Sequence, residues 1–291
     1  MNWFLLAFTS AAFSAAAAIS QKKILFKIEA LEFSYLLSII ILIFSIPFFF
    51  TVNYSETALI NLLILYLKTI PGTLAFLFVM LSIKNLEISK ALPLLALTPG
   101  LVAVFAFILI GDNLSFIEIL GMVLLLAGTY LLETKPGQKI FDPFKVFVKS
   151  DKHHYVVYAL LLFTATSIVD RWLLGRYKLT PGTFMGFQQL FFAINFVLIL
   201  FLLNKKPAEI IKSVSNDVWK WIILIAFLTV AYRFMEILAV KAAPVALVLS
   251  IKRISIFFAV LIGGRIFKEK NLALKATAAA VIISGAILIA Q

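Results

Sequence analysis

Lys252 and Arg253 stand side by side in the middle of PVALVLSIKRISIFFAVLIGG, residues 244–264. An ammonium beside a guanidinium offers several N–H donors and two positive charges to one oxyanion. The flanking sequence is apolar over a length that crosses a bilayer, about 20 residues at 1.5 Å rise. On insertion scales each Lys or Arg at a helix centre costs about 2.5–3.5 kcal/mol. The pair therefore requires a wet cavity, an acidic partner or a bound anion.

Other polar residues fall inside apolar stretches. Lys68 lies in NLLILYLKTIPGTLAFLF beside Thr69, Pro71 and Gly72, as a cavity cation at a helix irregularity or as a lysine reaching the interface. Arg233 and Glu236 share a helix face three residues apart, next to Tyr232. They read either as a self-neutralising pair, or as a substrate-binding Arg with a Glu that carries a proton or balances charge. Asp170 and Arg171 close another apolar run and cancel one another, as a gate or as headgroup contacts. Lys68, Arg233, Lys252 and Arg253 then face only Glu236, an excess of positive charge that an anion relieves. Gln188, Gln189 and Asn195 fit hydrogen bonds between helices, worth about 0.6 kcal/mol each in membranes. Phe184 and Phe234 are candidates for lining the cavity.

The elements that carry these groups follow from composition. The 291 residues are 63% hydrophobic and 14% charged, with a formal net charge of +12. A soluble domain carries about 25% charged residues, so the composition is that of an integral membrane protein. Most Lys and Arg lie in short loops, which fits cytoplasmic loops and gives no reason to expect nucleic acid. Cysteine is absent, which excludes disulfides and thiolate metal sites. The only two histidines, His153 and His154, adjoin in a loop and read as solvated. No metal, cofactor or catalytic cluster is expected, and no Walker-type loop points to ATP.

Apolar windows of spanning length fall near 3–20, 33–52, 58–82, 88–110, 115–132, 155–175, 183–203, 218–240, 243–264 and 272–290. The first lacks the positive leader of a signal peptide and reads as a helix of the mature protein. The longest connection, 133–154, separates residues 1–132 from 155–291, and its KIFDPFKVFVKS segment fits an amphipathic piece on the membrane surface. Shifted by 157 residues, 81–132 overlays 238–289 without a gap. Lys84 falls on Lys241, Asp112 on Glu269, and Gly128 on Gly285. An odd number of helices per copy forces the second to insert upside down. The expected fold is all-α, ten transmembrane helices as two inverted five-helix repeats. Loops after the odd-numbered helices hold about eighteen Lys and Arg against about four on the other face, which places both termini outside the cytoplasm.

Pro99, the Gly111–Asp112 turn and Gly128, with Glu269 and Gly285 in the second copy, resemble the EamA-type drug/metabolite transporter superfamily over nearly the whole chain. Lys252–Arg253 is similar to the helix-nine pair of triose-phosphate and nucleotide-sugar transporters, and that resemblance implies a substrate phosphate on the pair. In helix four, where the phosphate translocators carry another Lys, the aligned residue is Leu95. The expected protein is a multi-pass carrier of the cell (inner) membrane, not an enzyme. It exports or exchanges a small anionic or zwitterionic metabolite (an amino acid, carboxylate or phosphorylated compound) by alternating access. Broad drug or hydrophobic amino-acid efflux and lipid flipping are the competing readings. Lys252, Arg253, Lys68, Arg233 and Tyr232 are the expected substrate contacts, with Glu236 and Asp170 for coupling or charge balance. Asp112 and Glu269 are expected to cap the helices that follow them. Ala276, Ala278, Ala279, Ala280, Ser284 and Gly285 form a small-residue face for scaffold or homodimer packing.

Overall fold

Uninterrupted apolar sequence with Pro and Gly kept mostly to its ends folds here as long helices. The computed structural model describes residues 2–52, 58–110, 115–134, 142–171, 173, 179–242 and 245–289. Helix α1 runs Trp3–Leu25, α2 Ala30–Phe49, α3 Leu59–Asn85, α4 Ile88–Leu95, α5 Thr98–Ile110 and α6 Phe116–Glu133. After the short α7 (Asp142–Lys149) come α8 Asp151–Arg171, α9 Pro181–Leu202, α10 Pro207–Ser213 and α11 Asn216–Ala242. The chain ends with α12 Val245–Phe258, a π-helical stretch Ala259–Gly263, α13 Gly264–Ile266 and α14 Leu272–Ile289. No strand occurs among the described residues.

Seven helices are long and apolar enough to cross a membrane: α1, α2, α3, α6, α9, α11 and α14. The other three expected spans are interrupted or more polar. The fourth breaks after Leu95, where the Ala96 N–H donates to the carbonyls of Leu92 and Pro93 at 3.1 and 3.0 Å. The ninth is interrupted by the π-helical stretch, and α8 opens on Asp-Lys-His-His. Pro71 leaves α3 continuous, and Gly72 lets Phe192 approach to 3.2 Å from where a Cβ would sit.

The packing pairs early helices with late ones: α6 on α14, α1 on α11 and α12, α3 on α8 and α9, and α2 on α9 and α11. The closest crossing is α6 on α14. A Cβ on Gly128 would sit 2.6 Å from the Ile282 side chain, and one on Gly285 2.6 Å from the Gly121 carbonyl. The small-residue face of α14 divides: Ala276, Ala278, Ala279 and Gly285 are buried inside the chain, while Ala280 and Ser284 are exposed. Close backbone approach maximises dispersion contact where lipid supplies no hydrophobic drive.

One end of the bundle is tied by charge. Three side chains grip the α3–α4 turn. Buried Lys22 donates to the carbonyls of Ile83 and Leu86, both at 2.6 Å. Glu269 accepts from the backbone N–H groups of Ile88 (2.6 Å) and Ser89 (3.1 Å) and from the Ser89 hydroxyl. Lys275 pairs with Glu87 at 2.7 Å. Glu269, expected to cap the helix after it, thus caps α4 from across the chain, because the α13–α14 turn lies against that helix start. Asp112 lies outside the described residues. At the same end Lys27 pairs with Asp217 (2.6 Å) and Lys205 with Glu32 (3.3 Å).

His153 is a second correction. It sits in α8, buried, with Nδ1 2.9 Å from the Ser150 hydroxyl and Nε2 3.5 Å from Glu133. Buried Glu133 also pairs with Lys90 at 2.8 Å.

Candidate functional site

Charged groups run from α3 and α8 through α11 to α12. Lys68, on α3, donates to the Gln188 side-chain oxygen of α9 at 2.7 Å and pairs with Asp170 of α8 at 2.6 Å. Its ammonium also lies 5.0 Å from the centre of the Phe184 ring. Only 5% of the Lys68 side chain is exposed, so these groups replace its hydration. Asn195, one further stretch along α9, donates to the hydroxyls of Thr69 and Thr73 at 3.1 and 3.2 Å.

Arg233 comes next. It lies within electrostatic reach of Lys68, Asp170 and Glu236, with the Tyr232 phenol beside it. Its Nε is buried without a hydrogen-bond partner. Arg233 lines a hollow of about 60 Å³ together with Gln21, Ser38, Gln189, Thr229 and Tyr232. The Ser38 and Thr229 hydroxyls are already spent on the carbonyls of Tyr35 and Ile225. That leaves the Gln21 and Gln189 amides lining the hollow with the guanidinium.

Lys252 and Arg253 line a larger hollow, about 300 Å³, with Ser14, Tyr232, Ser255 and Ile256. Lys252 forms an ion pair with Glu236 and lies 5.2 Å from the centre of the Tyr232 ring. Among the described residues Arg253 makes no ion pair, and Glu236 is the acid within its electrostatic reach.

Two expected pairings are therefore corrected. Glu236 pairs with Lys252 instead of Arg233. A neighbour on a facing helix aims its ammonium at the carboxylate, whereas Arg233 lines a separate hollow. Asp170, read as cancelling Arg171, pairs with Lys68, and the Arg171 side chain lies outside what the structure describes. Each lysine thus has a carboxylate, and the unpaired positive charge resides on the two arginines. The two lysines do not share one space: Lys68 lines a separate, mostly apolar hollow with Leu67, Pro71 and Val169. Tyr232 belongs to both other hollows and joins them. Phe234 is 47% exposed and packs beside Phe48, away from these groups.

The hydrogen bond from Lys68 to Gln188 had no sequence signal beyond two polar residues in apolar runs. The Ser14 contribution had none, since a lone Ser in an Ala-rich helix is ordinary. Among the described residues no cluster of His, Asp and Glu is arranged to hold a metal ion.

Comparison with known proteins agrees with this architecture. No curated protein matches the chain. Twenty-six chains among solved structures match it. One crystal structure, 16% identical, superposes with a TM-score of 0.63 over 99% of this chain and 96% of its own. The EamA-like transporter family matches residues 1–134. This is a multi-pass membrane protein whose first 134 residues are similar to the EamA-like transporter family.

Proposed function

We propose that the chain is a secondary carrier for a small anionic or zwitterionic metabolite, working by alternating access between two inverted halves. The observation that carries the reading is the hollow shared by Lys252, Arg253 and Tyr232, in which Arg253 makes no ion pair among the described residues. Its serine, tyrosine and cationic walls suit a small polar solute better than a lipophilic drug.

The inverted plan is supported by the packing. Numbering ten spans in order makes α4–α5 the fourth, α8 the sixth and α12–α13 the ninth. The first then packs on the eighth as the third does on the sixth, and the second on the eighth as the third does on the seventh. A two-fold exchange of halves generates each such pairing from the other. The 157-residue offset also sets the break after Leu95 opposite Lys252–Arg253. A broken helix and a charged one would then face each other at the substrate. The Lys- and Arg-rich loops favour an orientation with both termini outside the cytoplasm, in the cell membrane.

Uptake of a panel of labelled organic anions into proteoliposomes tests the reading. Accumulation that Lys252→Ala or Arg253→Ala abolishes, with folding intact, is the expected result. Wild-type vesicles that accumulate no anion or zwitterion would overturn it.

A further inference from the structure

We infer that the transported molecule carries two separated acidic groups, one seated at Arg253 in the larger hollow and the other at Arg233 behind Tyr232. The inference rests on the carrier reading and narrows its substrate to a short dicarboxylate.

Charge balance comes first. Among the described side chains of this region, Lys68, Arg233, Lys252 and Arg253 outnumber Asp170 and Glu236 by two. A low-dielectric interior tolerates such an excess only when counter-charge enters with the ligand. A monoanion leaves one guanidinium without a counter-charge.

Placement of the excess comes second. Both lysines are neutralised locally, so the two open charges sit on two guanidiniums in two different hollows. Tyr232 lines both, and the hollows are therefore neighbours along that residue. The hollow at Arg233, about 60 Å³, takes a carboxylate and not a whole metabolite. The buried Nε of Arg233 has no acceptor, and the Gln189 amide faces the same space. A planar carboxylate accepts from a guanidinium through two parallel hydrogen bonds, one of which Nε can supply. A phosphate monoester also brings two charges, but both on one group. It would satisfy the Lys252–Arg253 end and leave Arg233 as it is.

The test is competitive binding to purified protein in proteoliposomes, with succinate, butyrate and glycerol 3-phosphate as probes. Succinate is expected to bind at least tenfold more tightly than butyrate and more tightly than glycerol 3-phosphate. Arg233→Gln should bring succinate to within twofold of butyrate while butyrate binding persists. Arg233→Lys, which keeps the charge and loses the fork, should fall between and guards against a folding artefact. Equal binding of succinate and butyrate, a preference for glycerol 3-phosphate, or an unchanged ratio in folded Arg233→Gln each overturns the inference and leaves an anion carrier standing. Binding of none of the three by the wild type overturns the inference, and uptake of the wider anion and zwitterion panel then decides the carrier reading separately.

Discussion

Glu236 on α11 holds Lys252 of α12, sixteen residues on, and leaves Arg233 of its own helix to face a different hollow. A carboxylate so placed competes with any substrate anion for the same ammonium. Glu236→Gln is expected to tighten anion binding by about tenfold, equivalent to about 1.4 kcal/mol. The same change should slow release and lower turnover. Equilibrium binding and initial-rate uptake, measured on one preparation, check both signs. Weaker binding would show that the carboxylate orients Lys252 for the substrate and does not compete with it.

Lys68 and Asp170 join α3 to α8 across the two halves. Removing one member of a buried pair costs about 3–5 kcal/mol, because the other charge is left without compensation. Lys68→Met and Asp170→Asn should each lower the unfolding temperature in detergent markedly. The double variant should recover most of that loss. Additive losses would mean that the ammonium depends on Gln188 and Phe184 more than on the carboxylate.

Glu269 satisfies two backbone donors at the start of α4. Losing a helix cap costs about 0.5–2 kcal/mol. Glu269→Ala is expected to reduce stability in that range, and Glu269→Gln, which retains an acceptor, by less. The chain has no cysteine. A cysteine placed at Ser255 therefore reports, through an impermeant maleimide, whether the hollow becomes reachable from the tied end. Labelling from that end should rise in Glu269→Ala and stay low when Glu269 is present.

Gly128 and Gly285 admit no side chain at the α6–α14 crossing. Gly128→Leu places carbon where Ile282 already sits, and overpacking of this kind costs about 1–3 kcal/mol or more. Thermal unfolding should register the loss. A substitution at exposed Ser284, on the outward side of the same helix, should leave it nearly unchanged.

The helices were legible because lipid leaves the backbone little choice, so apolar run length alone fixes most of them. Even the short α7 and the glycines of the α6–α14 crossing could be read from pattern. The charge partners could not. Spacing of three or four reports neighbours on one helix, and Arg233–Glu236 satisfied that rule. Lys252 won the carboxylate through a tertiary contact that no local spacing encodes. The same held for Asp170, whose partner stands about a hundred residues upstream, and for Glu269, whose donors lie in the opposite half of the sequence. The sequence singles out Lys252–Arg253 as costly, yet only the arrangement in space separates the ion-paired lysine from the arginine without an ion pair.

The elbow between α3 and α4 is grasped mainly through peptide groups: Lys22 takes carbonyl oxygens, and Glu269 takes amide hydrogens. Main-chain atoms are common to every residue type. Apart from Glu87, which pairs with Lys275, the grasp therefore makes no demand on which side chains residues 83–88 carry, while the two hands that hold it cannot change. The intolerance that this grasp creates should appear far away in the sequence, at positions 22 and 269.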